Sequence, residues 1–293
     1  MTSIVGRMLP PRLKAALIPW YDRWLGWQRG RANDLRRLRR ERALRSAERR
    51  ERPQLEQARA LFGTLFTRED QPLISVTIAT YNRGQLLEER AIASVLAQTY
   101  QNFELVIVGD GCTDDTAERI MWLNDPRIRF YNLPQRGKYP ENPQHRWMVA
   151  GTPAINRAFD EVRGSWVAHL DDDDVYHPEH LETLLHFAQA QGHELAYSRM
   201  ARQVGPDEWL DFGGPGFGGE VNSVPHSAVL FRRYLTLFRF DPGAWRLGWP
   251  VDHHLWIRMQ RAGVNVGFLD QQTVSSPLRP NTTQQGSQAE DRT

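Results

Sequence analysis

From Leu73 onward the chain alternates short apolar runs with segments of helical periodicity. "LISVTIAT" (Leu73–Thr80) and "FELVIVGDG" (Phe103–Gly111) are nearly continuous apolar stretches rich in β-branched residues. Between them "QLLEERAIASVLAQ" (Gln85–Gln98) repeats Leu86, Leu87, Ala91, Ile92, Val95 and Leu96 at helical spacing. Strand, helix and strand in so short a span predict a βαβ unit with parallel, buried strands. The alternation goes on. A helix is expected over Asp114–Leu123, opened by the capping chemistry of Asp114, Asp115 and Thr116. A strand follows over Arg127–Leu133, a helix over Ile155–Val162 and a strand over Ser165–Leu170. Pro178–Gln191 reads as a helix with proline in its first turn, and "ELAYSRM" as a strand. Thereafter the pattern loosens. "FGGPGFGGE" (Phe212–Glu220) predicts a flexible loop, His226–Arg233 a strand, and Pro250–Gly263 a helix with Leu255, Trp256 and Met259 on one face. "VNVGFLD" predicts the last strand. The fold class expected is α/β.

Outside this block the texture differs. "LKAALIPWYDRWLGW" (Leu13–Trp27) mixes aromatic and basic residues, which suits a helix in a membrane interface, with Pro19 kinking or starting it. Asn33–Phe62 reads as a charged helix with a thin stripe of Leu35, Leu38 and Leu44 and a break at Pro53. Three domains are expected: a basic helical extension (1–71), a folded domain (72–278) and a polar, disordered tail (279–293).

Charge sharpens that division. The net +2 hides 17 Lys+Arg against 8 Asp+Glu over residues 1–72, so +9, and 20 against 27 in the remainder, so −7. A basic extension invites an anionic partner. It reads either as a solvated helix packed on the domain or on a second copy, or as a peripheral membrane contact through residues 13–50. Glu41, Glu48, Glu51 and Glu56 are interleaved with the arginines and would repel phosphate, so nucleic acid is not expected. The single cysteine, Cys112, rules out an intrachain disulfide and reads as a structural thiol. Pro10, Pro11, Arg12 and Lys14 interrupt the apolar start, and no run approaches the roughly 20 apolar residues that span a bilayer. A cytoplasmic location is expected, with membrane-surface attachment as its variant.

In open parallel sheets ligands bind beyond the carboxyl ends of the strands. Three strand ends here are polar: Thr80–Gly84 ("TYNRG"), Gly109–Asp115 ("GDGCTDD") and Asp171–Asp174. Four consecutive carboxylates repel one another unless water or a cation screens them. Surface solvation is one reading, and Asp174 also suits a helix N-cap. A divalent cation shared with phosphate oxygens is the other. Gly-rich phosphate loops are missing: "GDGCTD" follows the second strand and has Asp114 where a third glycine belongs, and no "GxxxxGK[ST]" occurs.

The ordered set "SVTIATYNRGQLLEERAIASVLAQTYQNFELVIVGDGCTDDT", "HLDDDDVYHPEHLE" and "WPVDHHLWIRM" resembles family 2 glycosyltransferases over roughly residues 72–270. The resemblance implies a GT-A fold, a mixed but mainly parallel sheet flanked by helices, and an inverting, nucleotide-sugar-dependent reaction. It places Thr80, Tyr81, Asn82 and Arg83 against the nucleotide, with Asp110 on the base and Gly111 beside it. Gly109 departs from the family's aspartate, and Cys112 from its serine. The Asp-x-Asp-Asp motif falls on Asp171–Asp174. It gives Asp173 and Asp171 as ligands of Mg²⁺ or Mn²⁺, and Asp171 and Asp172 as donor contacts. Asp252 matches the general base, and Asn156 a donor-site asparagine. Arg136 and Lys138 are phosphate candidates and His226 an acceptor-side one. His253 and His254 read as surface histidines or as groups that orient the base. Trp256 reads as core, and Trp249 as an open acceptor platform.

The expected function is therefore metal-dependent transfer of a sugar, most simply from a UDP-sugar, to a hydroxyl of a glycan or lipid-linked acceptor. Donor and acceptor choice would lie in Pro206–Pro225. A non-catalytic nucleotide-sugar-binding module of the same fold is the alternative. A nucleotidyltransferase would need an early Gly-rich loop with a basic end, and none follows the first strand.

Overall fold

The structure is a computed structural model that describes residues 11–62, 70–218 and 223–279, with the backbone alone over 11–33. The expected disordered tail, apart from Arg279, lies outside the described residues. So do the side chains of Leu13–Trp27, on which much of the expected membrane contact falls. The chain divides into two compact units, Met1–Ser46 and Ala47–Thr293. The division falls inside helix α1 (Pro11–Phe62), which runs unbroken for 52 residues. Pro53 was expected to break it and does not. A proline inside a helix removes one hydrogen bond and costs about 3 kcal/mol, but side chains on both sides of Pro53 are anchored. Glu51 meets Arg258, Leu55 is fully buried, and Arg59 meets Glu194. The helix also continues through Pro19. Leu35 and Leu38, from the expected apolar stripe, remain 55% and 54% exposed. No helix among the described residues is long and apolar enough to cross a membrane.

Among the described residues, the second unit is built on a nine-stranded sheet. Its strands are β1 (Ile74–Thr80), β2 (Phe103–Gly109), β3 (Ile128–Asn132), β4 (Trp166–His169), β5 (Val175–Tyr176), β6 (Leu195–Gln203), β7 (Trp209–Phe212), β8 (Val229–Arg232) and β9 (Val266–Ser276). Their order is β3-β2-β1-β4-β8-β6-β9-β5, with β7 hanging from β6. β1, β2, β3 and β4 are parallel, as the βαβ reading requires. Antiparallel β8 then joins β4 to β6. Parallel pairing resumes between β6 and β9, and most paired positions in the sheet are parallel.

Helices cover both faces. Those behind the domain's first half are α2 (residues 84–96, with a wider π-turn over Glu88–Ile92), α3 (Thr116–Trp122) and α6 (His180–Gln191). Their apolar residues pack with Ile74, Val76, Ile78, Leu105 and Ile107. On the other face lie α5 (Thr152–Glu161), α7 (Val251–Ala262) and the end of α1, around Val167, Val229 and Phe231. β4 shows how the alternation divides the two cores: Trp166 and Ala168 join the first, Val167 the second. A short helix α4 (Pro143–Trp147) sits in the long β3–α5 connection.

Most expected elements stand within a few residues of their predicted ends. Pro178 lies ahead of α6, whose N-cap is Glu179. Asp174 therefore caps no helix and lies in the turn before β5. His226–Ala228, expected as strand, form a tight 3₁₀ turn ahead of β8. The last strand reaches Ser276, six residues past its expected end.

Candidate active site

β1, β2 and β4 run side by side, so their carboxyl ends open on one crevice. At the end of β1, the Thr80–Arg83 turn grips its neighbours. Asn82 adopts a left-handed backbone (φ 49°), and its side chain accepts a hydrogen bond from Thr113 N at 2.8 Å. Thr80 Oγ1 donates to Asp172 Oδ2 at 2.8 Å, and Arg83 Nη1 to Asp172 Oδ1 at 2.7 Å. Both oxygens of Asp172, an expected donor contact, are thus engaged within the protein. Burial still pushes the Asp172 carboxyl above its usual range, against the pull of Arg83.

The β2 end is held by neutral groups. Asp110 is buried, and its carboxylate accepts from Gly137 N at 2.9 Å and from Tyr139 Oη at 2.6 Å. Burial and that hydrogen bond push the Tyr139 hydroxyl up. Gly111 (φ 74°) leaves room for the same loop, since a Cβ there would lie 2.4 Å from Arg136 N. Arg136, expected beside phosphate, lies flat on Tyr81 with its guanidinium 3.7 Å from the ring centre. Gly109, where the resemblance calls for aspartate, makes room for Asn132. A Cβ at 109 would meet Asn132 Oδ1 at 2.5 Å. Asn132 clamps Cys112 by accepting from its N and donating to its O, both at 2.8 Å.

The aspartate run divides into four environments. Asp171 Oδ1 faces His226 Nδ1 at 3.1 Å and His169 Nε2 at 3.3 Å, and the side chain is 44% exposed. Partial loss of water opposes its charge, yet the two imidazoles hold the Asp171 carboxyl well below its usual value. Burial pulls His226 down, and the charge and hydrogen bond of Asp171 outweigh this, with Asp252 adding to the lift. His169, fully enclosed beside His226 (ring centres 3.9 Å apart), is pushed down to about 4. Asp173 pairs with Arg279 and lies 4.0 Å from Arg83. Asp174 accepts from Ser227 Oγ at 2.5 Å; burial, then the charges of Asp171 and Asp173, push it up to about 8. Ser227 Oγ also accepts from Asp171 N at 3.0 Å, so one hydroxyl supports both ends of the run.

Arg90 sits in the π-turn of α2, a local widening often found at functional sites. It donates to the carbonyls of Asp173 (3.3 Å), Pro277 (3.1 Å) and Leu278 (2.7 Å). The chain beyond β9 is thereby laid beside the acidic loop, and Arg279 reaches Asp173.

Asp252 lies in the first turn of α7, where the helix dipole favours a carboxylate, and its charge acts on His226. His253 and His254 are buried and not on the surface, because α7 packs into the core with both. Burial, with Arg258 adding to it, pushes His254 down to about 4. Trp249 is closed off at 8% exposure, its ring stacked on His254 and edge-on to His253, so it is no open platform. Trp256 is core, as expected. Asn156 is engaged elsewhere: its amide exchanges hydrogen bonds with Phe240 N and O at 3.0 and 2.9 Å.

Among the described residues, His169, Asp171 and His226 form the group able to hold a metal ion, with ligand atoms within 4.8 Å of one another. His226 Nε2 is buried without a hydrogen-bond partner. The donor set fits a divalent cation, and its two imidazoles disfavour Mg²⁺, a hard ion that takes oxygen ligands. Asp171 was expected in such a site; its two histidines were not. His226 was expected only on the acceptor side. His169, next to last in the expected strand Ser165–Leu170, was not singled out, and nothing in the sequence tied it to His226.

The family model for glycosyl transferase family 2 matches residues 75–142 and 143–242. Asp252 lies beyond that match. A protein of Escherichia coli strain K12 named as the colanic acid biosynthesis glycosyl transferase WcaA is 34% identical over 134 residues, covering 44% of this chain and 43% of that one. Across the first three curated relatives, the chain spans 32% to 56% of their length. The fold matches TarS 1–349 of S. aureus in complex with UDP-GlcNAc (TM-score 0.52, 18% identity, 73% of this chain and 60% of that one). It also matches the mannosyltransferase PcManGT of Pyrobaculum calidifontis in complex with GDP-Man and Mn²⁺ (TM-score 0.52, 17% identity, 82% and 68%). A sheet of this order, three polar strand ends on one crevice and a family match over more than half its length place this chain among the family 2 glycosyltransferases of GT-A fold.

Proposed function

We propose that the protein transfers a hexosyl group, with inversion, from a UDP-sugar to a hydroxyl of a glycan or lipid-linked acceptor in a metal-dependent reaction. The observation that carries this reading is Asp171, half-open to the crevice between two imidazoles, one of which feels the charge of Asp252. The UDP-GlcNAc of the TarS complex and the GDP-Man and Mn²⁺ of the PcManGT complex support a nucleotide-sugar donor. The naming of WcaA for colanic acid biosynthesis supports a glycan product.

Asp171, His169 and His226 would hold Mn²⁺ or, less readily, the oxygen-seeking Mg²⁺. Such a cation, when bound, offsets the charge of the departing diphosphate. Tyr81, Asn82, Asp110 and Gly111 form the wall for the nucleoside. Arg83, steadied by Asp172, and Arg279, steadied by Asp173, bring positive charge to the diphosphate side. Asp252 accepts the acceptor's hydroxyl proton as that oxygen bonds to C1 and the C1–phosphate oxygen bond breaks on the opposite face.

The test is calorimetric titration with UDP, with and without Mn²⁺, followed by a transfer assay. UDP binding should tighten with Mn²⁺, and Asp171→Asn should abolish that tightening. Binding indifferent to both changes would overturn the metal role. Asp252→Asn should keep UDP binding and lose turnover at least about 100-fold. A native protein that binds UDP-sugars, yet neither hydrolyses nor transfers them, is the non-catalytic module.

A further inference from the structure

We propose that helix α1 acts through Glu51 as a positioning element for Asp252; this rests on the reading of Asp252 as the base. Both helices lie outside residues 75–242, the span of the family match. α7 has only 12 residues, and its first turn is tied to the domain by Val251 N donating to Met148 O at 2.8 Å. Beyond that turn, α7 is packed in the core and is held by polar contacts from α1. Glu51 and Arg258 are both buried, and Arg258 forks onto the carboxylate. Its Nη2 lies 2.6 Å from Oε1, and its Nε lies 3.0 and 3.2 Å from the two oxygens. Arg258 Nη1 also donates to Arg239 O at 2.7 Å. At the far end, Arg52 and Arg59 donate to the carbonyls of Arg261 and Gly263 at 2.6 and 2.7 Å, closing groups the helix leaves open.

An apolar contact alone would let α7 slide or turn on its axis. Leu55 already supplies such contact, in the core cluster with Leu255, Trp256 and Met259. A buried ion pair adds little stability over apolar packing of the same size. What the fork adds is direction, because a planar guanidinium meets a carboxylate in one orientation. Arg258 is six residues from Asp252, roughly 9 Å along a stiff helix. A slip at Arg258 is therefore passed on to the base. Misplacing a reacting group by about 1 Å costs on the order of 100-fold in rate.

The experiment uses the full chain and Glu51→Gln, which keeps the side chain's size and removes its charge. With the fastest-turning UDP-sugar and Mn²⁺, kcat should fall about tenfold, while donor KM and UDP binding move less than twofold. In an Asp252→Asn background the same substitution should change the residual rate less than twofold, since its effect passes through Asp252. Hydrogen exchange at the Val251 and His254 amides should quicken about tenfold. A native kcat, unchanged exchange, or effects that multiply in the double variant would each overturn the positioning role alone. Native turnover in Asp252→Asn would overturn the base assignment and this inference with it. Should Glu51→Gln fail to fold, Arg258→Lys, which keeps the charge and loses the fork, is held to the same outcomes.

Discussion

The two sides of the crevice hold their polar groups by different physics. On the side proposed for the nucleotide, Asp110, Asn82 and Asn132 are satisfied by backbone amides, a carbonyl and a phenol. On the acidic side, Asp171 faces two imidazoles, Asp172 and Asp173 are balanced by the charges of Arg83 and Arg279, and burial with the charges of Asp171 and Asp173 pushes Asp174 up to about 8. The first arrangement is built with the fold and needs no ion. The second is a balance that an arriving cation or diphosphate can redraw. Fixed dipoles suit a group that must hold its shape, and mobile charges suit a group that must exchange partners.

The largest effect should separate the two sides by the kinetic parameter that moves. Asp171→Asn removes the carboxylate that both imidazoles face, and turnover at saturating UDP-sugar and Mn²⁺ should fall at least about 1,000-fold. Asp110→Asn keeps an acceptor for Gly137 N and turns its NH2 toward Tyr139 Oη, whose hydroxyl can accept in its place. It should cost about tenfold, mostly in donor KM. Steady-state kinetics of the two variants decides the matter, and losses of equal size in the same parameter would erase the distinction.

The strands and helices around Asp110 were legible in the sequence, and the partners of the acidic residues were not, for a related reason. β1, α2, β2, α3 and β3 form from residues close in the chain, and strands buried on both faces announce themselves as unbroken apolar runs. The charge partners of the acidic side arrive from far away. Arg279 stands 106 residues from Asp173, and His226 55 residues from Asp171. Periodicity cannot report such pairs. The same limit explains Pro53: proline's local penalty was visible, whereas the partner of Glu51, Arg258, lies 207 residues on. Asp252 was expected from motif and place, while the burial of its neighbours His253 and His254 depends on how α7 packs. β9 outruns its apolar pattern because β6 offers a long edge, with register shifts around Arg199 that let the pairing continue.

A smaller effect should appear in stability against pH. His180 is buried behind the acidic loop, stacked on Tyr176, and burial pushes it down to about 3 from an ordinary 6.5. Between those values the unfolded chain binds a proton that the folded chain refuses. The stability is fully present above about pH 6.5 and is lost as pH falls toward 3, by roughly 1.4 kcal/mol per pH unit for one such group. His180→Phe keeps the stacking and should flatten the acid limb of urea unfolding free energy between pH 4 and 6.5. Asn132→Ala, on the nucleotide side, should lower stability by about 1 kcal/mol at every pH and leave the slope alone. Parallel slopes in native and His180→Phe protein would break this part of the contrast.

The smallest effect belongs to Cys112, and it tests the claim that the nucleotide side works through fixed dipoles. Asn132 holds the backbone of Cys112 and not its sulfur. The thiol lies 3.6 Å from Thr80 O, and burial pushes its pKa up, which keeps it protonated and slow to react. A serine hydroxyl can donate to the same carbonyl. Cys112→Ser should therefore shift Tm by no more than about 1–2 °C, within the ±0.5 kcal/mol of a neutral substitution. Kinetic constants should stay within twofold. If turnover fell tenfold, or if maleimide modified Cys112 in the folded protein as fast as in urea, the thiol would be a working group. The nucleotide side would then depend on a reactive side chain after all, and its difference from the acidic side would be one of degree.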